Sequence, residues 1–130
     1  MTNSLNDFND ILSPDEPLSG HTWLKLGGAA ERFYSPTSRE QLIDLVRACI
    51  AENVQVRILG GGSNLFVGDA GVTGAVIHVS DPLLSDITVD GTLISAGGGA
   101  LLSRVVTESV RSRLAGLESL VGIPLSLIHI

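Results

Sequence analysis

The chain has 130 residues, 15 of them glycine, with 44% hydrophobic and 17% charged side chains and a formal net charge of -6. That balance argues against a nucleic-acid partner, which needs clustered Lys and Arg, and no apolar run reaches the roughly 20 residues that span a bilayer, so no membrane partner is expected. A polar, acidic start and a lone cysteine, Cys49, point to a single cytoplasmic domain, or part of one, without disulfides.

Residues 1–20 are rich in Asn, Asp, Ser and Pro and read as a flexible leader, in which Leu5, Phe8, Ile11 and Leu12 stand at helical spacing and allow one docked turn. Glu31 to Ser35 reads as a short strand stopped by Pro36. Ser38 and Gln41 have the spacing of a capping box. Behind them Leu42, Leu45, Val46, Cys49 and Ile50 make one apolar face of a helix over about 39–52, which puts Cys49 in the core as an inert thiol.

Val54 to Leu59 alternates as a strand running into a glycine loop, and Gly74 to Val79 is a further strand carrying His78. With no second ligand at metal spacing, His78 reads as a sheet residue and no metal site is expected. Ile87 to Val89 and Leu93 to Ala96 flank Asp90-Gly91 as a hairpin. The Gly97-Gly98-Gly99 cluster leads into a helical pattern from Ala100 to Leu114, ended by Gly116. Strands and helices in this order give a mixed α+β fold.

Gly60-Gly61-Gly62-Ser63-Asn64 follows a strand. Successive glycines can turn several amides into one concavity that binds phosphate oxygens, although a plain surface turn is an equal reading of composition alone. A P-loop is excluded because Ser63-Asn64 stands where Lys and Ser or Thr are needed. The Rossmann fingerprint is excluded because Leu65, and Leu102 in the second cluster, occupy the third glycine position.

Thr22 to Ala29 (TWLKLGGA), Ser35-Pro36-Thr37, Leu59 to Leu65 (LGGGSNL), Gly71 to Ile77, the second glycine triplet and Gly116 to Pro124 (GLESLVGIP) together resemble the UDP-N-acetylenolpyruvoylglucosamine reductases in order and spacing. The LGGGSN segment is shared with other flavoproteins of that fold. The resemblance implies an incomplete FAD-binding domain of the vanillyl-alcohol-oxidase or PCMH-like type over residues 21–124, and an enzyme of peptidoglycan precursor synthesis. In such an enzyme NADPH reduces FAD, and the flavin delivers hydride to the enolpyruvyl group of a nucleotide sugar. By the same resemblance Gly60, Gly61, Gly62, Ser63 and Asn64 face the cofactor's pyrophosphate, with Leu59 and Leu65 counted among the cofactor-binding residues, and Gly122 and Ile123 begin a second loop near the flavin.

The chain departs from the family pattern in two places. His21 replaces the usual Asn before the opening Thr and reads as an exposed loop residue. After Pro124 the family continues with a glycine-rich loop, whereas residues 125–130 (LSLIHI) form an atypical apolar tail that reads as a truncated or misread gene end, with a genuine final strand as the alternative. The family's catalytic groups lie beyond this point, so no catalytic residue is assigned and the chain alone is expected to be inactive. Two other readings stay open: a different oxidoreductase of the same FAD fold, and a non-enzymatic nucleotide-binding α+β module.

Overall fold

A computed structural model describes residues 3–121; Gly122, Ile123 and the tail at 125–130 lie outside the described residues. The strands and helices are β1 (Leu12–Pro17), β2 (Ala29–Tyr34), α1 (Arg39–Ala51), β3 (Val56–Leu59), β4 (Val72–His78), β5 (Ile87–Asp90), β6 (Leu93–Ala96) and α2 (Leu102–Arg111). Four strands form one sheet in the order β1-β2-β4-β3, and β5 with β6 forms a separate antiparallel pair. Within the larger sheet β1 runs antiparallel to β2, while β2 and β3 both pair in parallel with β4. The strand latest in sequence therefore lies between the two that α1 connects.

Alternation along β4 sends Ala75 and Ile77 to one face and Val76 to the other, and each face has its own core. The first core packs Tyr34, Ala75, Ile77, Val79 and Leu84 against Leu45, Ala48 and Cys49 of α1. The second gathers Leu18, Ala30, Phe33, Leu59, Val67 and Val76. The β2–β4 pairing shifts register between Ala30 and Arg32, where β4 carries one residue more between Val72 and Ala75.

The expected flexible leader is structured from Leu5 onward. Leu5 and Phe8 are buried in the first core, in a 3-10 segment spanning Leu5–Ile11. Ser4 and Asp7 close a capping box, and Glu52, just past α1, accepts hydrogen bonds from the Leu5 amide at 2.8 Å and the Ser4 hydroxyl at 3.1 Å. The next residues are β1 itself, whose prolines are tolerated because β1 lies at the sheet edge.

Helix α1 agrees with its sequence pattern except at Ile50, which is exposed. Ser38 Oγ accepts from the Gln41 amide at 3.1 Å, but Gln41 Oε1 reaches the Thr37 amide at 2.9 Å, so the reciprocal bond falls one residue earlier than the box spacing predicts. The second helix ends before Gly116. The Arg113 amide donates to Val110 and the Leu114 amide to Ser109, with Arg113 left-handed at φ 56, a Schellman ending built on a non-glycine residue. In the hairpin, Asp90 pairs with Leu93, so the two-residue turn is Gly91-Thr92 rather than Asp90-Gly91.

Candidate cofactor site

Leu59, the last residue of β3, is buried in the second core, and Leu65 packs against the same cluster. These two side chains anchor the ends of the glycine loop in the protein and leave the segment between them to meet a ligand. Gly62 lies at φ +65, and a Cβ there would collide with the His21 carbonyl, a placement open only to glycine. Its own carbonyl accepts from the Trp23 amide at 3.1 Å, which ties the opening TWLKLGG segment to the loop.

Gly61 differs from its neighbour. It is exposed, its φ is not left-handed, and a Cβ on it would meet nothing within 4 Å. The fold itself does not need glycine at this position. Among the described residues, the amides of Gly61, Gly62 and Asn64 donate to no backbone carbonyl. Donors left in this state on a surface loop suit an anion's oxygens.

A second group at the loop awaits a partner. Thr22 is 5% exposed, and its Oγ1 is buried with no hydrogen-bond partner among the described residues. Its Cα lies 3.0 Å from the position a Gly62 Cβ would take, so Thr22 sits beside the glycine loop. A buried unpaired hydroxyl is costly, and a phosphate or ribose oxygen would satisfy it. Sequence reasoning placed Thr22 in a resembling motif without giving it a role.

The surface alongside is apolar. Trp23, Leu24, Leu26 and Phe66 are each more than half exposed, on the two segments that the Trp23–Gly62 and Gly28–Gly68 hydrogen bonds hold together. Exposed aromatic and aliphatic side chains beside a polar cradle suit a ligand with flat rings attached to phosphates.

The second glycine cluster is not a cradle. The amide of Gly97 donates to Asp86 at 2.8 Å and that of Gly99 to Leu84 at 3.0 Å, and a Cβ on Gly97 would collide with the Leu84 carbonyl. Its glycines serve close packing against the Pro82–Leu84 turn. A groove of about 590 Å³ between α1, Ile58 at the β3 edge and the hairpin includes Gly97 and Gly98 but no residue of the first glycine loop.

Beneath the first loop lie two histidines. His21 is not the exposed loop residue expected; it is partly buried, stacked on Phe33 with ring centroids 4.5 Å apart and paired through Nε2 with Glu16 Oε1 at 2.9 Å. His78 stands edge-on to His21 at 5.2 Å. Burial holds the His78 imidazole below the ordinary histidine pKa and the neighbouring His21 adds to this, while a hydrogen bond to the Gly60 carbonyl opposes it. Among the described residues no group of three or more His, Cys, Asp or Glu side chains could hold a metal. Nor is any helix among them long and apolar enough to cross a membrane.

Known proteins resemble this chain in sequence and in fold. A UDP-N-acetylenolpyruvoylglucosamine reductase from Heliobacterium modesticaldum is 40% identical over 127 residues, covering 98% of this chain and 40% of the relative. The crystal structure of UDP-N-acetylenolpyruvylglucosamine reductase (MurB) from Thermus caldophilus superposes with a TM-score of 0.67 at 34% identity, over 89% of this chain and 39% of that one. Cholesterol oxidase from B. sterolicum gives a TM-score of 0.59 at 21% identity over 80% of this chain, a likeness of fold alone. The chain spans about 40% of the length of the reductases it matches. The family described as FAD binding domain matches residues 30–128, and together with the α+β architecture this shows that the chain belongs to the FAD binding domain family.

Proposed function

We propose that this chain supplies the FAD-binding part of a UDP-N-acetylenolpyruvoylglucosamine reductase, an NADPH-driven oxidoreductase of peptidoglycan precursor synthesis acting on a UDP-sugar in the cytoplasm. The observation that carries the reading is the cradle: amides of Gly61, Gly62 and Asn64 without backbone acceptors, set beside the unpaired Thr22 hydroxyl. The chemistry that FAD supplies when bound is hydride relay from NADPH to the enolpyruvyl double bond. The 40% identity to the Heliobacterium modesticaldum reductase supports this choice among flavin-dependent reactions.

The residues present fit the cofactor. Gly60 to Asn64 would hold its pyrophosphate through neutral amide dipoles, which serve an acidic chain where basic side chains are scarce. Thr22 Oγ1 would donate to an oxygen of the same group. Leu59 and Leu65 would contribute by anchoring the loop, and Trp23 and Phe66 offer apolar surface to ring systems. No described residue is given a role in hydride or proton transfer. Gly122 and Ile123, the start of a second loop near the flavin on this reading, lie outside the described residues.

Two measurements test the proposal. Titration of the chain into FAD, followed by flavin fluorescence, should show binding at least 100-fold tighter than to riboflavin, which lacks phosphates; equal affinities would remove the pyrophosphate grip. A chimera in which this chain replaces the matching segment of the Heliobacterium modesticaldum reductase should consume NADPH only when UDP-N-acetylglucosamine enolpyruvate is added. FAD-loaded chimera without that dependence would leave a flavoprotein of another reaction.

A further inference from the structure

Residues His21 to Trp23 close on Gly62 from one side. The His21 carbonyl lies where a Gly62 Cβ would stand, and the Trp23 amide donates to the Gly62 carbonyl at 3.1 Å. Between those two contacts stands Thr22, whose Oγ1 is buried without a partner among the described residues. The side chain that seats this segment on the sheet is that of His21, the last residue of the 3-10 turn Leu18–His21.

Two strands hold the His21 ring. Phe33 of β2, itself buried, stacks on it with centroids 4.5 Å apart and planes 27° from parallel, and Glu16 Oε1 of β1 meets its Nε2 at 2.9 Å. Glu16 stands opposite Ala30 in the β1–β2 ladder, and Ala30 and Phe33 share the second core, so both holds come from one face of the sheet. A carboxylate oxygen only accepts, so Nε2 is the donor. The two holds make different demands: another aromatic ring could stack on Phe33, but reaching Glu16 takes a donor at the Nε2 position. Packing on Phe33 alone therefore does not explain an imidazole here.

We propose that His21 is a positioning residue for the glycine loop: clamped by Glu16 and Phe33, it fixes the backbone against which Gly62 turns, and so preorganises the loop amides for the pyrophosphate of the cofactor. Order already present in the free loop is not lost again on binding, which strengthens the complex without a new contact. The inference rests on the cofactor reading above for the identity of what is bound, but not for the ordering of the loop.

The test compares the unmodified chain with His21→Phe, which keeps a ring on Phe33 but has no donor, and His21→Gln, whose amide nitrogen can still donate to Glu16 but which has no ring. In His21→Phe the backbone order parameter of Gly62 in the free chain should fall from about 0.85 to below about 0.6, and FAD affinity should drop about tenfold. His21→Gln should keep the order parameter and stay within about threefold in affinity. A side chain that serves packing alone would give the reverse order, with Phe tolerated and Gln not. If His21→Phe does not fold, Glu16→Leu takes its place, because it removes the acceptor from the other end of the same bond and should give the same losses. An unchanged Gly62 order parameter in the variant that lacks the bond, or its loss in His21→Gln, would overturn the proposal. A Gly62 that loosens as described, in a chain that does not bind FAD even unmodified, would uphold the positioning role and overturn the cofactor reading.

Discussion

The amide of Trp23 donates to the carbonyl of Gly62 at 3.1 Å, so the opening segment and the glycine loop form one unit although they are far apart in sequence. Adjacent glycines in that unit should respond in opposite ways. Gly62→Ala forces a left-handed alanine, which costs about 1–2 kcal/mol before its collision with the His21 carbonyl is counted, and a melting temperature lower by at least 4–8 °C is expected. Gly61→Ala should leave the melting temperature unchanged or slightly raised while weakening FAD binding. Loss of stability at Gly61 equal to that at Gly62 would contradict this division of roles.

Phe8 is buried in the first core, and Glu52 holds the preceding turn from the end of α1. Phe8→Ala should therefore cost about 3–5 kcal/mol in urea unfolding, as for other buried aromatic side chains. A leader that merely trails from the domain would give no change.

Burial, followed by Glu52, pushes the Cys49 thiol above its ordinary value of 9.0, and burial, followed by Cys49, pushes the Tyr34 hydroxyl above 10.0. For acids raised in the folded state, the unfolded chain loses its protons first, so their stabilising contribution is whole below pH 9 and is lost as pH rises further. The melting temperature should decline from about pH 9 upward, and native Cys49 should react with iodoacetamide far more slowly than the unfolded thiol. Fast labelling of the native chain at pH 8 would sink this assignment.

His78 behaves in the opposite sense. Its folded value lies below 6.5, so on acidification the unfolded chain takes up the proton first, and the contribution present above pH 6.5 is lost as pH falls through the folded value. Between pH 7 and pH 5 the unmodified chain should lose more stability than His78→Asn. Parallel pH profiles would show that the imidazole takes up its proton equally readily in the folded and unfolded chain.

The elements with strong periodicity were legible in the sequence. Leu45 and Cys49 face the core as their spacing predicts, and the β3, β4 and hairpin strands lie where alternation and Gly91 place them. Strand β1 was not legible, because Leu12–Pro17 contains two prolines and two acidic residues; it exists through pairing with β2 at a sheet edge, a tertiary effect without local signal. The arginine at the end of α2 hid its ending for a similar reason, since a left-handed Arg113 carries no glycine mark. At the site, Gly60 to Asn64 stood out, while Thr22 and the His21–His78 contact depend on chain segments brought together only by folding.

The most direct test of the cradle is an amide NMR titration of the isotopically labelled chain with FAD. The Gly60, Gly61, Gly62 and Asn64 amides should show the largest shifts, joined by Thr22, with ADP moving the same signals and riboflavin leaving them in place. Saturable FAD binding that shifts amides elsewhere while those of Gly60 to Asn64 stay fixed would contradict the account.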